Sequence, residues 1–298
     1  GKEVRGFNVR IVDRELLDGV SAYVNARKVA VGTLGFEGKH LSYAQYLGLR
    51  HGLKKIKLKD AGNAVTNLRA IKTRGEIRRI RQAANIADAA FKKLRSMKVV
   101  GRSEREVAAI LEYNMKQNGS EEMPFEIIVA SGRQTAMPHA ATSGRIIRKD
   151  ELLLIDMGAS VDGYCCDVTR TFATGRLPAA LQSLYRTVQE AQSRAVGALK
   201  PGLALKDADS LARGYITSAG HGKNFRHSLG HGVGLETHEA PVLSPLSEGT
   251  LEKGMTVTVE PGIYVSGSCG VRIEDTILID TRGPVMLTGF TRELINLR

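Results

Sequence analysis

Leu152-Leu153-Leu154-Ile155-Asp156, then a turn region over Gly158–Gly163, then Tyr164-Cys165-Cys166-Asp167-Val168-Thr169, reads as two strands joined by Gly- and Asp-containing turn residues. Asp156 and Asp167 are symmetric about the turn, so a simple hairpin makes them near-opposite partners on one face. Opposed like charges repel. A leucine-rich strand that ends in a carboxylate facing a second carboxylate therefore calls for a cation between them.

The same arrangement recurs about 105 residues later. Thr256-Val257-Thr258-Val259-Glu260 runs in, Gly267 sits at the centre, and Val271-Arg272-Ile273-Glu274 runs back, with Glu260 and Glu274 symmetric about the glycine. One such pair describes a surface acid beside a turn. Two of them, each presenting opposed carboxylates from apolar strands, describe a dinuclear site for divalent cations with bridging carboxylates.

The helices repeat as well. Gly101-Arg102-Ser103 opens a predicted helix that ends at Asn118-Gly119, and Gly202-Leu203-Ala204 opens another that ends at Ala219-Gly220. Preceding helices start near Glu76 and near Ala179. The first of these carries Ile77, Ile80, Ala84, Ala87, Phe91 and Leu94 as one apolar stripe, leaving Arg78, Arg79, Arg81 and Lys92 to solvent. A repeat of this length is too long for a solenoid unit, so it predicts two halves of one α/β domain related by a pseudo-two-fold, with the site in the cleft between them.

Histidines gather on the same repeat. The run from His227 through His231 to His238 packs three histidines and three glycines into a short span, and Pro138-His139 precedes His238 by almost one repeat length. Glycines let the backbone crowd close to an ion or substrate, and imidazoles beside an acidic cluster are candidate ligands.

Upstream, residues 1–72 read as a small α/β domain, with short strands at Val29–Gly32 and Lys55–Leu58 around a helix near Ser42–His51; residues 73–298 form the larger domain. The chain carries a net charge of +12, of which +8 falls in residues 1–72. Such a surface can attract nucleic acid or anionic substrates, but the alternation in Lys54-Lys55-Ile56-Lys57-Leu58-Lys59 equally describes a solvated strand face beside a core. With 42% apolar and 25% charged residues the chain has an ordinary globular composition. It offers neither a long apolar run to cross a membrane nor a signal-peptide layout, and its start without Met suggests a processed or trimmed chain. Three cysteines (Cys165, Cys166, Cys269) are too few for a disulfide framework and fit a reducing, cytoplasmic setting.

Several segments then make the sequence resemble the pita-bread metallopeptidases: methionine aminopeptidases, Xaa-Pro aminopeptidases and prolidases. They are Ile128-Val129-Ala130-Ser131-Gly132, Pro138-His139-Ala140, Asp167-Val168-Thr169-Arg170-Thr171, His227-Ser228-Leu229-Gly230-His231-Gly232, Val259-Glu260-Pro261-Gly262 and Val271-Arg272-Ile273-Glu274-Asp275. The resemblance covers roughly residues 67–298. Its Asp-Val-Thr-Arg-Thr and Val-Arg-Ile-Glu-Asp forms are closer to the proline-specific branch.

The resemblance implies an α/β (α+β) pita-bread catalytic domain behind a shortened N-terminal domain that serves dimer contacts and limits substrate length. It implies five metal ligands, Asp156, Asp167, His231, Glu260 and Glu274, holding two divalent ions. So oxygen-rich a set favours manganese, with cobalt or zinc as alternatives. The implied reaction is hydrolysis of the Xaa-Pro bond by a metal-bridged hydroxide with Glu260 as general base. His238 donates to the oxyanion, His139 holds the substrate near the scissile bond, and His227 lines the proline pocket. Arg272 is placed to orient Glu274 or to bind a substrate carboxylate.

Three departures stand out. Val242 follows Pro241 where many prolidase-like members carry an arginine, Thr237 replaces a Val or Ile, and the first part of the N-terminal domain is shortened or missing. The missing arginine weakens a strict dipeptidase assignment, but Xaa-Pro dipeptides remain the first expected substrates, of a homodimer. Longer Xaa-Pro peptides are the alternative, and methionine aminopeptidase activity is a more distant one. A non-catalytic nucleic-acid- or protein-binding module also stays open, although the complete ligand set argues against it and nucleic acid is not an expected partner.

Overall fold

The computed structural model describes residues 6, 8–13, 15–27 and 32–297 and divides into two compact units, Gly1–Leu68 and Arg69–Arg298. In the first unit, α1 (Leu16–Ala26) precedes β1 (Thr33–Phe36), α2 (Tyr43–Gly52) and β2 (Lys57–Asp60), and β1 pairs with β2 in parallel. The expected helix is present, started by a capping box in which the Ser42 hydroxyl accepts from Gln45 N. The expected strand at Lys55–Leu58 lies two residues further on. Its Lys57 and Lys59 point to solvent around a half-buried Leu58, so the basic alternation is a solvated edge. The strand expected at Val29–Gly32 falls, except for Gly32, outside the described residues.

Beyond α3 (Ala64–Ala70), the second unit says one thing twice. Helices α4 (Arg74–Arg95) and α5 (Glu104–Gln117) lead to β3 (Ile128–Ser131), β4 (Leu152–Met157), β5 (Ser160–Val161), β6 (Tyr164–Cys165) and β7 (Val168–Ala173). Helices α6 (Ala179–Ala198) and α7 (Leu205–Ser218) then lead to β8 (Gly230–Gly232), β9 (Glu239–Leu243), β10 (Thr256–Val259), β11 (Gly262–Val265), β12 (Cys269–Arg272), β13 (Asp275–Asp280) and β14 (Gly283–Met286). The antiparallel order β3-β4-β7 of the first half reappears as β8-β10-β13 inside the five-stranded sheet β14-β13-β10-β8-β9 of the second.

Helices α5 and α7 are both 14 residues long, and each is entered through a left-handed glycine, Gly101 at φ 91° and Gly202 at φ 87°. The stripe on α4 packs as expected: Ile80, Ala84, Ala87, Phe91 and Leu94 are buried. Each half has its own core, one built on Phe91, Leu111, Ile155 and Phe172, the other on Val188, Ile216, Val257 and Ile277. Two cores stacked on two sheets leave the strand ends of both halves facing one cleft.

The first hairpin departs from the symmetric reading. Asp156 lies opposite Thr169, not Asp167, and the same register continues through Val161 opposite Tyr164. The turn is Asp162-Gly163, with φ 49° and 77°, a two-residue type I′ hairpin turn that centres the ladder one residue later than the midpoint of Asp156 and Asp167. Asp167 is therefore the diagonal neighbour of Asp156, two residues from Thr169 and on the same face. The second hairpin keeps the expected register: Val259 pairs with Asp275 and Gly262 with Arg272, which sets Glu260 against Glu274 in the gap between two ladders.

Candidate metal centre

The acidic residues stand where ladders end or are interrupted. Asp156 is on β4, Asp167 lies between β6 and β7, Glu260 between β10 and β11, and Glu274 between β12 and β13. His231, on β8, completes the group. One ligand atom each from Asp167, His231 and Glu274 lies within 4.8 Å of the others, and all three residues are buried. His231 Nε2 stands 3.2 Å from Glu260 Oε1 and 3.8 Å from Asp167 Oδ2. Asp156 joins them through Arg272, whose Nη2 donates to Asp156 Oδ2.

Threonines hold the carboxylates. Thr169 Oγ1 donates to Glu274 Oε2 at 2.6 Å while Glu274 N donates to Thr169 O at 3.1 Å. Thr258 Oγ1 donates to Glu260 Oε1 at 3.2 Å and accepts from His231 N at 3.0 Å. Thr276 Oγ1 accepts from Asp167 N at 3.2 Å and donates to Asp167 O at 2.8 Å. His231 Nδ1 lies 3.0 Å from Gly232 O, so this nitrogen carries a proton; Nε2 faces Glu260 as a donor in the metal-free chain and would give up that proton to take an ion.

Charges so close perturb one another. Burial, then the neighbouring Glu274, Asp156 and Glu260, push the Asp167 carboxyl well above its ordinary range. Burial, Glu260 and Asp156 do the same to Glu274. Burial also opposes ionisation of Glu260, but the hydrogen bond and charge of His231 outweigh it and hold that carboxyl down to about 2. His231 is raised, because its bond to Glu260 overcomes the cost of burial. Asp156 Oδ1 and Asp167 Oδ1 are buried with no hydrogen-bond partner. An unpaired buried carboxylate oxygen costs free energy, and an ion is the partner that would satisfy both. Hard oxygen donors plus one imidazole suit divalent cations.

Arg272 is held inside the site, against Asp156 and Thr169. It is 3% exposed. Nε donates to Thr169 Oγ1 at 3.0 Å, Nη1 to Pro138 O at 3.0 Å and to Tyr264 Oη at 2.8 Å, and Nη2 to Asp156. Its carboxylate partner is Asp156, and it reaches Glu274 only through Thr169. A guanidinium so enclosed braces Asp156 directly and Glu274 through Thr169.

The remaining histidines line the same cleft. His227 Nε2 lies 3.0 Å from Tyr264 Oη and Nδ1 lies 2.8 Å from Ser228 O. Arg272 donates to Tyr264, so the phenol donates to His227 Nε2 and His227 is neutral with its proton on Nδ1; burial lowers its basicity. His238 is exposed and packs against His231 with ring centroids 4.2 Å apart and the planes tilted by 46°. Burial and the His231 charge lower it. His139 is also exposed, and its neighbour Pro138 is tied to Arg272. A cavity of about 860 Å³ opens beside His238, walled by Met123, Pro124, Cys165, Leu235 and Thr237.

Tyr264 and the threonines at 169, 258 and 276 escaped sequence reasoning. Their one signal there is the recurrence of Thr in β7, β10 and β13, which resembles ordinary β propensity.

Two half-repeats that bring four carboxylates and an imidazole together present the donor set of a divalent-metal hydrolase centre. Comparison with known proteins agrees. Residues 78–281 match metallopeptidase family M24, and residues 2–71 match the creatinase/prolidase N-terminal domain. This chain belongs to metallopeptidase family M24. It is 44% identical over 263 residues to the Xaa-Pro dipeptidase of Pyrococcus furiosus, covering 88% of this chain and 75% of that one. The structure of an Xaa-Pro dipeptidase from Bacillus anthracis superposes with a TM-score of 0.95 at 42% identity, over 99% of this chain and 82% of that one. An X-Pro aminopeptidase from Thermotoga maritima gives 0.91 at 35% identity, over 100% and 84%. Among the described residues no helix is long and apolar enough to cross a membrane.

Proposed function

We propose that this chain hydrolyses the Xaa-Pro bond of dipeptides, with residues 73–298 as the catalytic domain. The observation that carries the reading is the convergence of Asp156, Asp167, His231, Glu260 and Glu274, two of whose buried carboxylate oxygens have no partner. These five residues would hold two divalent ions, manganese by the hardness of the donor set and cobalt or zinc as alternatives. Such ions, when bound, acidify a water and polarise the scissile carbonyl.

The chain supplies the rest. Glu260 Oε1 is engaged by His231 and Thr258, which leaves Oε2 to take the water's proton and pass it to the leaving proline nitrogen. His238, at the open edge of the cleft, donates to the developing oxyanion. His139 stands on the first-half side, where it steadies the substrate beside the scissile bond, and His227 with Tyr264 forms a polar wall against the proline ring. Arg272 fixes the orientation of Asp156 and, through Thr169, of Glu274.

One observation favours a second reading. Val242 is 46% exposed on β9, an apolar side chain where many prolidase-like proteins carry an arginine suited to a dipeptide's free carboxylate. Longer Xaa-Pro peptides carry an amide there and lose nothing. Hydrolysis of Ala-Pro and Ala-Pro-Ala by manganese-loaded protein, with a chelated control, separates the two. Preference for Ala-Pro supports the dipeptidase, preference for Ala-Pro-Ala the aminopeptidase, and activity that survives Asp167→Asn or Glu260→Gln refutes both.

A cytoplasmic homodimer belongs to the same proposal. Cys165, Cys166 and Cys269 are free and buried, as a reducing compartment allows. Exposed Tyr43, Leu47, Val65 and Leu68 in and beside residues 1–68 offer apolar surface for a second copy. Sedimentation of the full chain measures its mass in solution.

A further inference from the structure

Residues 69–72 lie ahead of the M24 match, which starts at residue 78, yet they are built into the catalytic unit. Ile71 forms an antiparallel bridge with Met255, and Lys72 N donates to Gly254 O at 2.9 Å. That anchor brings two cations to the segment between His231 and β9. Lys72 Nζ donates to Glu239 Oε1 at 2.5 Å, with side-chain exposures of 1% and 5%. Arg69 Nη2 donates to Glu239 Oε2 at 2.7 Å and stands 3.3 Å from Glu236 Oε2.

Glu239 directly follows His238. Its carboxylate also closes the loop from the other side, because a Cβ at Gly234 would stand 2.4 Å from Glu239 Oε1. Gly234 N donates to Glu236 O at 3.0 Å and Gly234 O accepts from Cys165 N at 2.7 Å, so the loop is fastened at both ends. His238 itself makes no side-chain hydrogen bond among the described residues, and its ring touches the site by packing against His231. What holds its imidazole in place is therefore its backbone, and the next side chain along that backbone is bolted by Lys72 and Arg69.

We propose that Lys72, with Arg69, is a positioning residue for catalysis: the ionic bolt on Glu239 sets where His238 stands relative to the reacting carbonyl. The inference rests on the role given to His238 above. Removing the ammonium leaves a buried carboxylate short of charge, which turns toward solvent and carries the adjacent histidine with it.

The test uses the full, manganese-loaded chain and Ala-Pro or Ala-Pro-Ala, whichever the wild type cleaves. Lys72→Met is expected to lower kcat about 10- to 100-fold, the scale of a displacement of about 1 Å, with KM and metal content little changed. In a His238→Ala background the same substitution should cost almost nothing, because residues that act through one another are not additive. Lys72→Met/Glu239→Gln, which removes the stranded charge, should recover much of the loss. Additive losses, or an unchanged kcat in Lys72→Met, would overturn the proposal. If the wild type cleaves neither peptide, the functional reading fails separately. The His238 imidazole NMR signals then decide: a shift in folded Lys72→Met supports the bolt, and unmoved signals overturn it.

Discussion

Thr169 bridges Glu274 and Arg272, and its removal separates site geometry from fold stability. Its hydroxyl donates to Glu274 Oε2 at 2.6 Å and accepts from Arg272 Nε at 3.0 Å, with the residue fully buried. Thr169→Val keeps the shape and β-branching and deletes both bonds. The bond from the Arg272 guanidinium is worth about 1.5–3 kcal/mol and the one to the Glu274 carboxyl about 1, and the variant leaves one orphaned acceptor and one orphaned donor in a buried site. Part of that loss relaxes through Arg272, which retains Asp156, Pro138 and Tyr264. A net destabilisation of about 2–4 kcal/mol follows.

For metal binding, losing a group that orients a ligand typically costs about 10–100-fold in affinity. Thr171→Val is the matched control. Thr171 is on the same strand and buried, but its hydroxyl bonds only the backbone of Arg272. Manganese affinity by chelator competition and thermal unfolding of the metal-free protein are the two assays. Both variants should lose stability, and Thr169→Val alone should lose affinity. Equal affinities in the two variants would refute the claim that Thr169 orients Glu274.

Arg170→Met removes a buried guanidinium that donates to Asp275 Oδ1 and to the carbonyls of Thr169, Glu274, Phe290 and Thr291; breaking such a pair costs about 3–5 kcal/mol, and Arg170→Met/Asp275→Asn should restore part of it in chemical unfolding. In the metal-free protein Asp167 and Glu274 hold protons more tightly folded than unfolded, so stability falls as pH rises from their ordinary values of 3.8 and 4.5 through their raised ones; an ion reverses the preference. The gain in melting temperature on adding manganese should accordingly be larger at about pH 7.5 than at about pH 5.5, and an equal gain would contradict the burial of these acids. Gly230→Ala places a Cβ 2.0 Å from Thr258 O, a backbone atom that must then move along with the hydroxyl bonded to His231 and Glu260; folded protein should bind less metal, measured by elemental analysis after gel filtration.

Much of this protein is determined locally and was therefore legible from sequence. The apolar stripe of α4, the glycine-bounded α5 and α7, and the alternation of strand and acid at Glu260 and Glu274 are periodicities of a single chain segment. Their recurrence at a fixed interval announced two half-domains, since an internal repeat needs no tertiary knowledge to be seen. The diagonal offset of Asp156 and Asp167 was lost to a turn one residue from its expected centre, because hairpin register is set by backbone twist at Asp162-Gly163. Tertiary structure alone decided which side chains hold the site together. Thr169 meets Glu274, Arg272 meets Asp156, and Lys72 meets Glu239 across separations of 105, 116 and 167 residues. No sequence pattern encodes those meetings. Side-chain partners at such distances are chosen by the packing of two cores against one another, and buried charges accept whichever donor that packing brings within reach.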